Sequence, residues 1–335
     1  MTPLAKKLVY WYRKNRISYP WRMTRDPYKI WLSEILLQQT RIPVVLKFYE
    51  KILNAFPDLI SLSKAKDAEF LSLWSGLGYY RRAQSMLHCA REIVQNGAGV
   101  FPSDLHELLA LPGIGKYTAG AIRNVCYEYL TPAIDGNIRR VLARLAMSHE
   151  KLESVFLEVG KGAESGDFFQ SLMELGEQIC LPKPRCVSCP VQNICKSRKE
   201  HRELEFPVKK SKQKSEKFHW YLLLLERKGA HFYAQNSARE FLKHSWIFPD
   251  VLSQKNLSPS ELCKNFAQSW GIKVRGLKEL RTLSHAVTYR KIHAHVLAAE
   301  SFHVNGVRGK WLKPKDLKNY PTSSITRKSL QVQDR

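Results

Sequence analysis

The stretch Leu111-Pro112-Gly113-Ile114-Gly115-Lys116-Tyr117-Thr118-Ala119-Gly120 decides the fold of the first half of this chain. Pro-Gly-x-Gly does not continue a helix, because proline and glycine are its two worst formers. The segment therefore reads as a tight hairpin, with an apolar run before it and a helix over Tyr117–Tyr127 after it. Two glycines let a ligand approach the backbone, and the start of the next helix offers unpaired N–H groups. Such groups suit a phosphate. A phosphate held by main chain carries no base identity, so the element would grip a nucleic acid without reading it. The same ten residues alone also fit an ordinary helix–turn–helix connection. Downstream, Asp135-Gly136-Asn137 follows the apolar stretch Pro132-Ala133-Ile134.

Outward from the hairpin, the pattern is helical from Thr2 to about Cys195. Leu4, Leu8, Trp11 and Tyr12 share one face, and Ile30, Trp31, Ile35, Leu36 and Leu37 form a second stripe that ends before Pro43. Further helices fit Val44–Leu53, Asp67–Trp74, Tyr80–Gln95, Leu105–Leu109, Ile138–Ala146 and Asp167–Cys180, with Gly, Pro, Asp and Asn between them. Composition then shifts. Residues 206–217 are basic, polar and poor in apolar side chains, as in a linker. After them Phe218–Leu225 suits a buried strand. His231–Ala234, Gly276–Ser284 and Lys291–Ala298 suit further strands, and Ser258–Trp270 a helix. The expected organisation is a mainly α domain over 1–205, a basic linker over 206–217 and a smaller α/β or α+β domain over 218–335.

Composition agrees with two domains, since 335 residues divide at roughly 150 per domain. The net charge of +24 favours a polyanionic partner, nucleic acid ahead of membrane. No apolar run approaches the ~18 residues of a membrane span. Met1–Arg13 reads as an amphipathic helix without a signal-peptide core. The expectation is a monomer in a reducing, cytoplasmic compartment, nucleoid-associated if bacterial. Of seven cysteines, Cys89, Cys126 and Cys263 are scattered and read as small buried apolar residues. The other four, Cys180, Cys186, Cys189 and Cys195, give C-x5-C-x2-C-x5-C. Four thiolates on one loop can enclose a tetrahedral zinc or a four-iron, four-sulfur cluster. Spacing alone leaves both open.

Several blocks now occur in order: Pro20-Trp21-Arg22, Trp31 to Thr40 (WLSEILLQQT), Gly76-Leu77-Gly78-Tyr79-Tyr80, the hairpin, Asp135-Gly136-Asn137 and the four cysteines. Together they resemble the MutY-type adenine DNA glycosylases of the helix-hairpin-helix superfamily, strongly from Leu4 to Cys195 and weakly beyond. The resemblance implies a helical domain with a [4Fe-4S] cluster on Cys180, Cys186, Cys189 and Cys195, then a Nudix-like domain that reads oxidised guanine. It implies excision of adenine paired with 8-oxoguanine or guanine in double-stranded DNA. Two departures are visible. The family's first cysteine gap is six residues, whereas Leu181–Arg185 gives five. Its Phe-Ser-His or Phe-Thr-His motif is here Leu283-Ser284-His285, and the glycines before Trp-x-Phe-Pro are missing at Lys243-His244-Ser245-Trp246-Ile247-Phe248-Pro249.

Breaking an adenine–deoxyribose bond needs an acid for the base and an anion facing the sugar cation. Glu34 interrupts an apolar helix with Gln38 and Arg41 on its face, and by spacing alone reads as a solvated polar stripe. Asp135, before a helix starting near Ile138, reads as a cap. The resemblance instead marks Glu34 as the acid and Asp135 as the group at the anomeric carbon, with Tyr117 and Asn137 supporting both. It places Gln39 and Tyr79 as wedges, Thr40 and Leu77 beside them, and Trp21 and Arg22 in the adenine pocket. Gly113, Gly115 and Lys116 would hold the DNA backbone, and Ser284 and His285 would touch the oxidised guanine. His293 and His295 alternate as in a strand and need no role. Endonuclease III-like lyases carry a lysine where this chain has Tyr117, so a monofunctional glycosylase is expected. The alternatives are a non-catalytic lesion-binding protein and a glycosylase/lyase.

Overall fold

The computed structural model describes residues 1–97, 99–208, 216–235, 246–287, 290–304, 306, 309–320 and 322–330. They form two compact units: Met1–Lys64 with Ser85–Ser211, and Ala65–Gln84 with Lys212–Arg335. The chain runs through helices α1 (Pro3–Asn15), α2 (Pro27–Leu37), α3 (Ile42–Ala55), α4 (Leu59–Ser63), α5 (Asp67–Leu73), α6 (Tyr80–Gly97) and α7 (Leu105–Ala110). The glycine hairpin follows, then α8 (Lys116–Tyr127), α9 (Gly136–Ala146), α10 (Leu152–Gly160), α11 (Ser165–Gln178) and the short α12 (Lys196–Lys199).

Side-chain caps set several starts. Thr2 accepts from the Ala5 N–H ahead of Pro3, Asp26 from Tyr28 ahead of Pro27, and Asp104 from His106. By contrast, α10 begins at Lys151, in the left-handed region at φ 52° with no side-chain cap, so its start carries no sequence signal. In the first unit α11 packs against α1, α8 and α9, while α2 packs against α3 and α8. Leu8, Tyr12, Leu32, Leu36, Phe156, Phe168 and Leu172 are buried there.

The second unit is α+β. Strands β1 (Glu216–Leu224), β2 (Glu226–Arg227), β3 (Ala230–Gln235), β4 (Trp246–Ile247) and β5 (Asp250–Ser253) precede α13 (Pro259–Trp270). The long β6 (Ile272–Val287) and β7 (Arg290–Val304), then β8 (Lys310–Leu312) and α14 (Ser324–Leu330), complete it. One sheet has the order β5-β1-β7-β6, with β1 parallel to β7 and the other pairs antiparallel. A Ser258–Glu261 capping box opens α13, and Gly271 at φ 62° ends it. The expected strands are all present; β6 and β7 extend beyond their expected limits. Tyr80 ties the Ala65–Gln84 segment into this unit, its hydroxyl donating to the Thr322 carbonyl at 2.8 Å.

The two hairpin glycines differ. Gly113 sits at φ +79°, and an added Cβ would meet the Ser85 Cβ at 2.7 Å. Gly115 has a negative φ and nothing within 4 Å of such a Cβ. Gly113 is thus required by the fold, whereas the space beside Gly115 is left open by the protein. Gly113→Ala is expected to cost roughly 1–3 kcal/mol through strain and crowding. Gly115→Ala should leave thermal stability within about 0.5 kcal/mol. Equal melting temperatures for the two variants would contradict this reading.

Candidate active site

A cavity of about 770 Å³ in the first unit collects the candidate catalytic residues and several of the candidate DNA contacts. Trp21, Arg22, Glu34, Gln39, Thr40, Tyr117, Asp135 and Asn137 all line it. Each arrives from a different local device. Trp21 and Arg22 lie on a 3-10 turn, Pro20–Arg22, that packs on α2. Glu34 projects from the last turns of α2, whose other face buries Ile30, Trp31 and Ile35. Tyr117 opens α8 directly after the hairpin.

The structure corrects the surroundings of Glu34. Helix α2 stops at Leu37, Gln38 leaves helical geometry at ψ 108°, and Gln39 is left-handed at φ 59°. Gln38 and Arg41 therefore do not extend a helical face below Glu34. They reach the same cavity from the turn into α3. An exposed non-glycine residue in the left-handed region costs about 1 kcal/mol, and Gln39 holds it at the rim of the cavity.

Asp135 satisfies the bland reading and still faces the cavity. Its Oδ1 accepts from the Ile138 N–H at 2.7 Å, capping α9. Asn137, in the first turn of α9, is held by Arg140, whose Nη2 donates to its Oδ1 at 2.8 Å and to the Gly176 carbonyl at 2.7 Å. Gly176 permits this contact, because a Cβ there would meet the Asn137 Cβ at 2.8 Å.

Burial pushes the Glu34 carboxyl up to about 7, and the negative charge of Asp135 adds to the rise. The Tyr117 hydroxyl, hydrogen-bonded to Glu34, and the Arg22 guanidinium oppose it without cancelling it. The Tyr117 hydroxyl is itself raised well above its ordinary value by burial and by Glu34, so it is a donor at neutral pH. Near neutrality the cavity therefore holds a carboxyl that keeps a proton and a second carboxyl across from it.

Sequence reasoning missed Tyr19, Leu37, Ile42, Met173 and Glu177, which with Pro43 complete the lining. It also missed Arg140 and Arg144. Arg144 was detectable as a basic residue inside the otherwise apolar run Val141-Leu142-Ala143-Arg144-Leu145.

The four cysteines occupy one loop between α11 and α12 as free thiols. Among the described residues, no group of three or more His, Cys, Asp or Glu is arranged to hold a metal ion. Cys189 nevertheless feels the charges of Cys180, Cys186 and Cys195, and burial pushes it up to about 12. A metal bound there would displace such protons. The buried Arg144 spans the loop. Its Nη1 lies 3.3 Å from the Cys180 Sγ, and the Cys195 thiol donates to its carbonyl at 3.4 Å. Four thiols with a buried cation beside them fit a thiolate-bound group of net negative charge.

Other sequence candidates lie elsewhere. Gly113, Gly115 and Lys116 form the hairpin end of α8. Leu77 is buried, but Tyr79 is exposed and left-handed at φ 49°, with Arg82 over its ring at 5.2 Å, so it is no core aromatic. Both belong to the second unit. On β6, Leu283 packs into the apolar cluster around Trp220, Ile292 and Phe248. Ser284 is exposed opposite His293, which stacks on His219 at 5.7 Å. The His285 side chain, residues 209–215 of the linker and Lys243-His244-Ser245 lie outside the described residues. No described helix is long and apolar enough to cross a membrane.

Residues 32–159 match the HhH-GPD superfamily of base excision DNA repair proteins. An adenine DNA glycosylase of Buchnera aphidicola subsp. Acyrthosiphon pisum (strain APS) is 32% identical over 257 residues, covering 73% of each chain. That of Buchnera aphidicola subsp. Baizongia pistaciae (strain Bp) is 30% identical over 305 residues, covering 88% of this chain and 85% of its own. A solved thermostable thymine-DNA glycosylase superposes with a TM-score of 0.55 at 28% identity, covering 58% of this chain and 95% of its own. With relatives matched over more than two thirds of their length and the superfamily match running across Glu34, the hairpin and Asp135, the chain belongs to the adenine DNA glycosylase family, DNA-binding hydrolytic enzymes of base-excision repair.

Proposed function

We propose that this chain hydrolyses the N-glycosidic bond of adenine paired with 8-oxoguanine or guanine in duplex DNA, without a lyase step. One observation carries the reading: Glu34, raised to about 7, and Asp135 face one cavity with Tyr117 and Asn137. Glu34 donates its proton to the extruded adenine, which makes the base a neutral leaving group. Asp135, fixed by its cap to Ile138, faces the cation that develops on the sugar or takes it as a covalent intermediate. Tyr117 orients Glu34, and Asn137 stands beside Asp135. Trp21 and Arg22 wall the adenine, Gln39 and Tyr79 act as wedges, Thr40 and Leu77 contact the DNA, and Gly113, Gly115 and Lys116 hold its backbone. Water then adds at the anomeric carbon, its proton passing to the carboxylate left on Glu34, and with Tyr117 in place of a Schiff-base lysine the abasic sugar stays in an unbroken strand.

The remaining assignments follow from the same reading. Cys180, Cys186, Cys189 and Cys195 would hold a [4Fe-4S] cluster through four thiolates, closing the loop between α11 and α12. Residues 1–205 are the catalytic domain, 206–217 the linker and 218–335 a Nudix-like lesion reader, with Ser284 and His285 toward the oxidised guanine. The enzyme acts as a cytoplasmic monomer wherever the DNA lies. Leu283 is partly buried against the apolar cluster and lacks an aromatic ring to stack. Preference for 8-oxoguanine then rests on the polar members of that motif.

The test is a duplex carrying adenine opposite 8-oxoguanine or guanine. Strand breaks should appear only after alkali; breaks without it would show a lyase. Glu34→Gln should lose roughly 100-fold or more of the excision rate. The wild-type rate should fall as pH rises through about 7, because the proton of Glu34 is then lost. The same substitution should stabilise the fold. A carboxyl raised from 4.5 to about 7 contributes stability that is present below pH 4.5 and lost as pH climbs through 7. Glu34→Gln is therefore expected to gain roughly 1–3 kcal/mol at pH 8 and nothing at pH 4. An active, unstabilised variant would place the acid elsewhere.

Two further outcomes check the peripheral assignments. Protein purified anaerobically should contain iron and acid-labile sulfide; zinc at about one atom per chain without iron would instead indicate a structural zinc site. Ser284→Ala should reduce the ratio of A:8-oxoguanine to A:G excision while leaving A:G excision intact. An unchanged ratio would remove the second unit from lesion reading.

A further inference from the structure

The cavity is rich in carboxylates and poor in cations. Glu34, Asp135 and Glu177 line it, and among the described lining residues the cations are Arg22 and the exposed Arg41. Arg22 is not free to serve the cavity alone. Its Nη1 pairs with Glu174, fully buried on α11, and its Nη2 lies 3.8 Å from Glu177, one turn further along the same helix. The guanidinium also sits over the Tyr12 and Tyr19 rings at 5.9 and 5.5 Å. It is thus held from the side of α11, while Glu34 approaches from α2.

We propose that Glu177 is a positioning residue, which completes an Arg22–Glu174–Glu177 ion triad and keeps the guanidinium compensated on the α11 side instead of presenting its charge to Glu34. The inference rests on the reading of Glu34 as the acid.

The groups facing Glu34 leave Arg22 as the one able to take its proton away by charge. Tyr117 and Cys126 approach from α8 and Asp135 from the cap of α9, and each of them, if charged, is negative. Arg41 at the start of α3 is exposed and solvated. The Arg22 side chain is only 8% exposed, and its charge already opposes the rise at Glu34. Interactions in such a site are screened little by solvent. Loss of one carboxylate from the triad releases part of the Arg22 charge toward Glu34, which favours the ionised, inactive acid. Glu174 is fully buried and accepts from the Ile17 N–H at 3.4 Å, so its loss would also disturb the fold. Glu177, at the cavity wall, is the member that can be changed cleanly.

The experiment is single-turnover excision of adenine opposite 8-oxoguanine by the full-length protein across pH 5 to 9. Glu177→Gln is expected to move the alkaline limb down by about one pH unit and to lower the rate at pH 8 about tenfold. The rate at pH 5 should be unchanged and Glu177→Asp should restore the wild-type profile. In an Arg22→Gln background, adding Glu177→Gln should cause no further shift, because the charge it compensates is gone. Overlay of the Glu177→Gln and wild-type profiles would overturn the proposal. So would an equal shift in the Arg22→Gln background, which would mean direct action of Glu177 on Glu34. Excision retained by Glu34→Gln would instead sink the underlying reading of the acid, a result distinguishable from either.

Discussion

A buried guanidinium on α9 ties the first unit together. Arg144 is 3% exposed, yet carries a full charge. Such a charge is tolerated only when its donors are satisfied. Here Nε donates to the Glu203 and Phe206 carbonyls at 2.8 and 2.9 Å, Nη1 to Leu181 at 2.7 Å and Nη2 to Pro182 at 3.0 Å. The chain from Leu181 to Phe206 has little regular structure of its own, and this one side chain supplies acceptors on both sides of the cysteine loop with a common donor. One turn earlier on the same helix, Arg140 donates to the Cys180 and Gly176 carbonyls and to Asn137. At its start, Asp135 caps the helix and faces the cavity. A single helix thus sets the positions of the anion, its amide neighbour and the cysteine loop.

The cavity follows a similar economy of charge. Burying Glu34 without a dedicated cation is what leaves it protonated near neutrality, and that is the state an acid catalyst requires. The arginine close enough to undo this is already engaged by Glu174 and Glu177. Tyr117 contributes a hydroxyl that remains a donor, and so orients Glu34 without adding charge.

The second unit separates its two sheet faces by strand alternation. Trp220, Leu222, Ile292, Ala294 and Leu283 point into one apolar cluster. His219, His293 and Ser284 share the opposite row, and His295 stacks on Tyr221 at 4.8 Å and on His219 at 5.2 Å. Register alone therefore sends Leu283 inward and Ser284 outward, since side chains on a strand alternate.

The sequence by itself determined most helices, the hairpin and the strands of the second unit, and it singled out Glu34, Asp135, Tyr117 and the four cysteines as candidates. These are local signals: caps, breakers, apolar periods and ordered blocks, each readable within a few residues. It placed Asp135 both as a cap and as a site residue, and one backbone conformation satisfies both. What only the tertiary structure decided depends on residues far apart in the chain. Helix α2 ends at Leu37, so Gln38 and Arg41 reach the cavity from a turn and not from a shared face. The Ala65–Gln84 segment packs with the C-terminal unit, although sequence order places it among the first helices. Arg22 meets Glu174 and Glu177 across about 150 residues of chain. No window of sequence records that contact. Nor does one record the burial that chiefly raises Glu34 to about 7, because the proton affinity of a carboxyl is set by the solvent and the charges around it and not by its neighbours along the chain.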